Sequence, residues 1–363
     1  MGLKEGLRLM IDLNFYKNKS VFITGHTGFK GAWLSYILKK AKANITGYAL
    51  DPTSNCVYDL AKIGNGIDST IKDIRDGQAL FRAFEKAKPE IVFHLAAQPL
   101  VMDSYSQPAY TFETNVMGTV NILECVRKSE SVRSVVVITT DKVYKNNEWI
   151  YGYRETDALG GADPYSASKA CAEMVAESYI RSFFVEKNIP VTTARAGNVI
   201  GGGDISANRI IPDCVRAAVK GEPIIIRNPH SIRPYQHVLE PLFAYLTLAE
   251  RQYNSTDIAG NYNIGPNDMD CITTGAFADI FCKAWGHVPG WKQNEVDVSL
   301  RETNVLRLDS SKLRFTLGLK PVWNASEAIS KVVEWEKSRQ NGKDVRLVMD
   351  SQIQEYLLVS TGS

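Results

Sequence analysis

The chain has 363 residues, 44% of them hydrophobic and 23% charged, with a formal net charge of +2. That length supports one large domain or two intimate ones, and the near-neutral balance gives nothing to draw the chain to nucleic acid or an anionic membrane surface. No apolar run reaches the ~18 residues of a spanning helix. Residues 1–13 mix Lys4, Glu5, Arg8 and Asp12 with leucines and lack the features of a signal peptide, so they read as a loose extension or a short helix.

The first β-rich run, residues 20–24, leads into Gly25-His26-Thr27-Gly28-Phe29-Lys30-Gly31 and then into a helical segment over 32–40. Strand, glycine turn and helix in that order suit a dinucleotide. Gly25 permits the tight turn, Gly28 lets backbone approach a pyrophosphate, and Gly31 lets the helix pack against the sheet. The free N–H groups at the helix start then face the phosphates. The next strand, 44–50, ends at Asp51. A carboxylate there accepts from the adenosine ribose 2′-hydroxyl and repels a 2′-phosphate, which selects NAD over NADP.

A third short strand, 69–72, precedes Asp73 and Ile74, and a helix with Leu80, Phe81 and Phe84 follows. A buried strand then runs through 89–95 into Ala96 and Ala97, small residues that leave room for a flat cofactor. A helix over 115–127 and an apolar strand over 134–140 complete the pattern of a parallel sheet covered on both faces. Asp163-Pro164-Tyr165-Ser166-Ala167-Ser168-Lys169 opens another helix. A tyrosine and a lysine four apart share one helix face, about 6 Å apart along the axis. The ammonium favours phenolate, so Tyr165 is expected to have a lowered pKa and to act as a base near neutral pH.

Further strands are expected over 190–195, 223–226 and 262–265, with helices over 211–219, 241–251, 274–285 and 325–340. Residues 152–163, polar and glycine-containing, read as a loop over the substrate, and residues 358–363 as a loose tail. Tyr235 and Trp149 either stack on a ligand ring or belong to the core. Six cysteines carry no C-x-x-C pair and five histidines no ligand spacing, which points to free thiols and no metal site.

Thr24-Gly25-x-x-Gly28-x-x-Gly31, His94-Leu95-Ala96-Ala97 and Tyr165-x-x-x-Lys169, in that order, resemble the extended short-chain dehydrogenase/reductase family over nearly the whole chain. The resemblance implies an α/β fold: a Rossmann-like doubly wound parallel sheet with a smaller, interleaved C-terminal substrate domain. Residues 14–198 would bind NAD, with segments returning near 230–265, and 199–355 would mainly hold the substrate. Thr140-Asp141-Lys142-Val143-Tyr144 is similar to the Thr-Asp-Glu-Val-Tyr of the nucleotide-sugar 4,6-dehydratase branch, with Lys142 in place of the glutamate. That form, together with residues 198–204 and 232–241, implies CDP-glucose as the substrate and deoxy sugars for a cell-surface polysaccharide as the destination.

In that branch the aspartate is the acid for water loss and the glutamate the base for the C5 proton. By implication Tyr165, beside Lys169, takes the 4-hydroxyl proton with Thr140 sharing its path, and Asp141 protonates the departing 6-hydroxyl. Asp141 must be protonated to do so, which requires burial. Lys142 opposes this unless the two side chains point apart, as neighbours on a strand do. Lys142 is a candidate C5 base if neutral, or a stabiliser of the enolate. A surface lysine, with Asp141 or a water handling the proton, is the alternative.

Carried over residue by residue, the resemblance places Gly25, Thr27, Gly28, Phe29, Lys30, Gly31, Asp51, Asp73, Ile74, Leu95, Ala96, Ala97, Tyr165 and Lys169 against NAD. It places Gln98, Asn198, Arg209, Arg233, Gln236, His237, Asn263, Arg301 and Glu302 against the nucleotide sugar. Arg233 is the first choice for the diphosphate, because a planar guanidinium fork matches phosphate oxygens. A cytoplasmic homodimer or homotetramer, joined through the helices near 115 and 170, is what the family implies. The rivals are a nucleotide-sugar epimerase, which needs no acid at the 6-hydroxyl, and a non-catalytic NAD(H) sensor.

Overall fold

The computed structural model describes residues 12–294 and 304–362. Arg301, Glu302 and residues 1–11 of the expected 1–13 extension lie outside them. Strand β1 (Ser20–Thr24) runs into helix α1 (Phe29–Lys40); β2 (Asn44–Ala49), β3 (Asp68–Ile71), helix α2 (Gly77–Ala87) and β4 (Ile91–His94) follow. Next come helix α3 (Gly118–Lys128), β5 (Ser134–Thr140), helix α4 (Pro164–Tyr179), β6 (Val191–Ala196), helices α5 (Ile210–Lys220) and α6 (Leu239–Asn254), and β7 (Asn261–Ile264). Helices α7 (Thr274–Trp285), α8 (Ala325–Gln340) and α9 (Val345–Gly362) complete the chain.

The seven strands form one sheet in the order β7-β6-β5-β4-β1-β2-β3, every pair parallel. The period of two along each strand divides its side chains between two cores. Val21 and Ile23 of β1 and Val136 and Ile138 of β5 join α1, α6 and α9 on one face. Phe22, Val135 and Val137 join α2 and α3 on the other, with Phe84, Ile122 and Leu123. Covering both faces explains why the strand sequences are almost continuously apolar. Strand order reverses between β1 and β4, which opens a crevice at their C-terminal ends, the usual ligand position in such sheets.

A smaller cluster lies beside the sheet. Helices α5 and α7 contribute Ile211, Val215, Phe277 and Phe281, and α8 contributes Ile329 and Val332. Short strand pairs frame it: Ile224–Ile226 with Trp291–Gln293, and Ile232–Pro234 with Cys271–Thr273. Trp335 of α8 belongs to the main core, so this helix spans both clusters.

Two expectations are corrected. The helix expected over 115–127 is preceded by Pro108–Phe112 and a wide π turn, Glu113–Met117, before α3 begins. The tail expected to be loose is helical through Gly362. Val345, Met349, Ile353 and Tyr356 recur at helical spacing and bury against the sheet core, which holds the segment in place. Tyr356 stacks on Phe243 at 4.7 Å and its hydroxyl donates to Glu240 Oε2 at 2.8 Å.

Glu240 is buried, and its Oε1 also accepts from the Val322 and Trp323 N–H groups at 3.0 and 2.9 Å. Burial pushes its pKa up from 4.5 to about 7. The folded state therefore binds this proton more tightly than the unfolded chain, and stability falls as pH rises between those two values. Glu240→Gln keeps the shape and removes the charge. It is expected to unfold with wild-type urea stability below about pH 4 and to gain up to ~3 kcal/mol over wild type by about pH 8.

Candidate active site

The glycine turn sits at the strand-order reversal. Gly25 has φ +77°, and a Cβ on it would lie 2.7 Å from Ala96 N. A Cβ on Gly31 would lie 2.0 Å from the Gly25 carbonyl oxygen. The turn and the β4 exit at Leu95, Ala96 and Ala97 are therefore pressed together with no room for side chains. Gly28 caps α1 without a side-chain bond, which leaves the first N–H groups of the helix available. These features fit the pyrophosphate of a dinucleotide. Thr27 Oγ1 donates to the Leu50 carbonyl at 2.9 Å, which ties the turn to the end of β2, where Asp51 is exposed.

Asp73 holds Arg75 at 2.8 Å, and that pairing keeps its carboxyl below the usual range despite partial burial. Ile74 is buried under Gly118. His94 braces the β4 exit. Thr119 Oγ1 already donates to the Asn115 carbonyl, so His94 Nε2 is the donor to Thr119 at 3.1 Å. His94 Nδ1 then accepts from Thr24 Oγ1 at 2.7 Å, and that oxygen in turn accepts from Ala96 N–H.

A cavity of about 520 Å³ opens beside this crevice. Phe29, Lys30, Thr140, Asp141, Lys142, Tyr165, Asn198, Arg209 and Arg233 all line it. The chain ends of β5 and β6 and the start of α4 supply most of them. Asp163 caps α4, accepting from Ser166 N–H at 2.9 Å, and Pro164 follows at the first helical position. This start fixes Tyr165 toward the cavity. Residues 152–163 form the expected loop, held by bridges from Tyr144 to Leu159 and from Tyr153 to Leu308, and its Gly160, Ala162 and Asp163 line the cavity.

Burial governs the electrostatics. Asp141 is 1% exposed; its Oδ1 accepts from Thr140 Oγ1 at 2.9 Å and its Oδ2 is buried without a partner. Burial raises its pKa, with Lys142, the Thr140 bond, Arg233 and Lys30 opposing. Asp141 and Lys142 both line the cavity rather than pointing apart, yet desolvation prevails. Tyr165 is pushed up to about 12 by burial, against its hydrogen bond with Thr140. Its expected depression by Lys169 is not found. The Lys169 ammonium instead donates to the Ile138 carbonyl at 3.0 Å, and burial takes its own pKa down to about 8. Lys30 falls to about 7 through burial and the nearby charges of Lys169 and Arg209.

Arg209 pairs with Asp204 at 3.0 Å at the cavity wall, and Arg233 Nη1 donates to the Ile232 carbonyl at 2.9 Å. Four expected substrate contacts turn elsewhere. Gln98 folds back onto Leu100 and Thr111. Gln236 donates to the Ile264 carbonyl, and His237 lies between Trp33 and Trp323. Asn263 is 0% exposed and bonds Tyr144, Tyr153 and Asp309. Each is taken up by neighbouring backbone or rings, which periodicity could not reveal. Tyr235 is buried against Phe277 yet reaches the cavity. The sequence reading missed Lys145, Arg227 and Asn228, which also line it. Arg227 follows directly on a short strand, a position that could have signalled it.

These features define a dinucleotide-dependent enzyme class. The pattern of the NAD dependent epimerase/dehydratase family matches residues 21–265, and the chain belongs to that family. It is 44% identical over 359 residues to the CDP-glucose 4,6-dehydratase of Salmonella typhimurium, covering 97% of this chain and 100% of that one. It is 26% identical over 339 residues to the dTDP-glucose 4,6-dehydratase of the same organism, 87% of this chain and 92% of that one. Among solved structures, Thermotoga maritima UDP-glucose 4-epimerase with UDP-glucose superposes with TM-score 0.77 at 22% identity, over 88% of this chain and 99% of that one. Bacillus anthracis dTDP-glucose 4,6-dehydratase in complex with NAD gives TM-score 0.75 at 21% identity, over 90% and 98%. At those identities the two structures establish the shared fold.

Replacing Asp141 by asparagine removes a buried ionisable group without changing shape. Because burial raises this pKa, ionisation destabilises the fold as pH rises through it. Asp141→Asn is expected to be more stable than wild type in urea unfolding near neutral pH, with the gain shrinking in acid, while losing turnover.

Proposed function

We propose that the protein converts CDP-D-glucose to CDP-4-keto-6-deoxy-D-glucose and water, with NAD as resident cofactor. One observation carries this reading: a buried acid with an unpartnered oxygen, Asp141, shares a cavity with Tyr165. An epimerase has no use for such an acid. The full-length similarity to a CDP-glucose 4,6-dehydratase supports the nucleotide.

Gly25, Gly28, Phe29, Lys30 and Gly31 would hold the dinucleotide with Leu95, Ala96 and Ala97, and Asp51 would meet the ribose. Bound there, NAD⁺ would supply the hydride acceptor for C4 and the hydride donor for C6, and its ring charge would favour the Tyr165 phenolate. Tyr165 removes the 4-hydroxyl proton, giving the ketone that acidifies C5–H. Lys142, on the cavity wall, takes the C5 proton and later gives it back. Asp141 protonates the departing 6-hydroxyl, which leaves as water. Thr140 hydrogen-bonds both Tyr165 and Asp141. It therefore offers a path by which the proton gained at Tyr165 resets Asp141, and the cycle closes with no net proton gained or lost. Arg209 and Arg233 would neutralise the diphosphate, and Asn198 would stand between cofactor and sugar.

Exposed Phe112, Met117 and Met174 on neighbouring helices support a homodimer or homotetramer. Six free cysteines support a cytoplasmic setting. Among the described residues no helix is long and apolar enough to cross a membrane.

Incubation with NAD⁺ and each of CDP-, dTDP-, GDP- and UDP-glucose, read by mass spectrometry, tests the proposal. Loss of one water from CDP-glucose is expected, and Tyr165→Phe should lower the rate at least ~100-fold. An isobaric product would overturn the dehydratase reading, and water loss from another nucleotide alone would overturn the CDP assignment. Asp51→Ala is expected to weaken the preference for NAD over NADP by roughly tenfold in binding titrations, the size of one lost polar contact. Unchanged discrimination would remove Asp51 from that role.

A further inference from the structure

The segment that carries Thr140, Asp141 and Lys142 is bracketed by Thr139 and Tyr144, and both brackets end on one buried ion pair. Glu173 and Arg195 are each 2% exposed in their side chains and pair at 2.9 Å. Arg195 Nε and Nη2 donate to the two carboxylate oxygens at 3.0 and 2.9 Å. Thr139 Oγ1 donates to Glu173 Oε1 at 2.5 Å, and Thr193 Oγ1 donates to Oε2 at 2.7 Å. Arg195 Nη1 donates to the Tyr144 hydroxyl at 2.9 Å and to the Glu155 carbonyl at 3.1 Å. The Tyr144 hydroxyl passes its own proton to Asn263 Oδ1 at 2.6 Å. Glu173 lies one turn beyond Lys169 on α4, so the same carboxylate belongs to the helix that carries Tyr165 and Lys169.

We propose that Glu173 and Arg195 form a clamp that sets the register between the two halves of the reaction centre: Tyr165 and Lys169 on α4, and Thr140 at the end of β5 with Asp141 and Lys142 just beyond it. Thr139 and Tyr144 are its two grips. All four are positioning residues, acting through the groups they hold. The inference rests on the dehydratase reading, because it assigns the clamp to one step. Releasing a grip moves Asp141 and Lys142 while Tyr165 and Lys169 keep their place on α4. Oxidation at C4 then continues, but elimination waits, and reduced cofactor accumulates. A buried ion pair is the suitable anchor: removing either partner would leave an uncompensated charge, so the geometry is held at high cost to any alternative.

The test leaves the ion pair intact and removes one neutral grip at a time, in the full chain with NAD⁺ and CDP-glucose. Tyr144→Phe and Thr139→Val are expected to lower turnover ~10- to 100-fold, in line with a small misplacement of reacting groups. Absorbance of reduced nicotinamide should build up during turnover, where wild type shows none, and the melting temperature should fall only slightly. Thr139→Ser, which keeps the hydroxyl, should restore both rate and low absorbance. Slowed turnover without reduced cofactor, or turnover unaffected by Thr139→Val, would overturn the clamp. If Tyr144→Phe does not fold, the Thr139 pair decides alone. Wild type run in parallel separates the two readings: failure to release water there overturns the dehydratase assignment, and the clamp falls with it.

Discussion

Taking Tyr165, Lys169 and Asp141 out of water moves each toward its neutral form, and the arrangement of the site follows from that. Burial raises the Asp141 pKa, and its second oxygen has no hydrogen-bond donor to favour the carboxylate, so the site shifts this group toward the acid form it needs. The same desolvation works against Tyr165, which must lose a proton. The hydrogen bond with Thr140 and the Arg209 guanidinium at the cavity wall oppose it. A cationic cavity also suits a diphosphate, so at Arg209 charge needed for binding and charge needed for deprotonation come from the same side chain.

The parallel sheet makes this burial possible. Strand ends bring residues far apart in sequence to one edge, while helices on both faces keep water from the sides. At the crevice between β1 and β4, close contact replaces side chains altogether: Gly31 touches the Gly25 carbonyl and Gly25 touches the Ala96 backbone. Two steps along, β5 and β6 deliver Thr140 and Asn198 next to the start of α4. The dinucleotide cradle and the acid–base groups thus face each other across adjoining strand ends.

Much of this was readable before the coordinates. The glycine spacing, the apolar strands and the Tyr-x-x-x-Lys pair each carry a local requirement, such as a positive φ, a covered face or a shared helix side. The seven strands of the sheet and the long helices other than α9 accordingly stand close to where periodicity put them. The readings that failed concern side-chain direction. Asn263, Gln236 and His237 look like ligand-facing polar residues in sequence, but backbone carbonyls, N–H groups and aromatic rings claim them in the interior. The tail looked polar over its last residues, but its apolar positions one turn earlier already commit it to a helix.

The amino-acid sequence by itself determined the class of fold, the place of the cofactor turn and the Tyr165–Lys169 pair, because each rests on residue type and short spacing, while Thr140, Asp141 and Lys142 came from the family resemblance. Only the tertiary structure decided their ionisation and company. Whether Lys169 faces the phenol or the Ile138 carbonyl, whether Asp141 is solvated, and whether Glu173 meets Arg195 all depend on chains brought together from distant positions. Desolvation and non-local hydrogen bonding are properties of packing, and no local spacing encodes them.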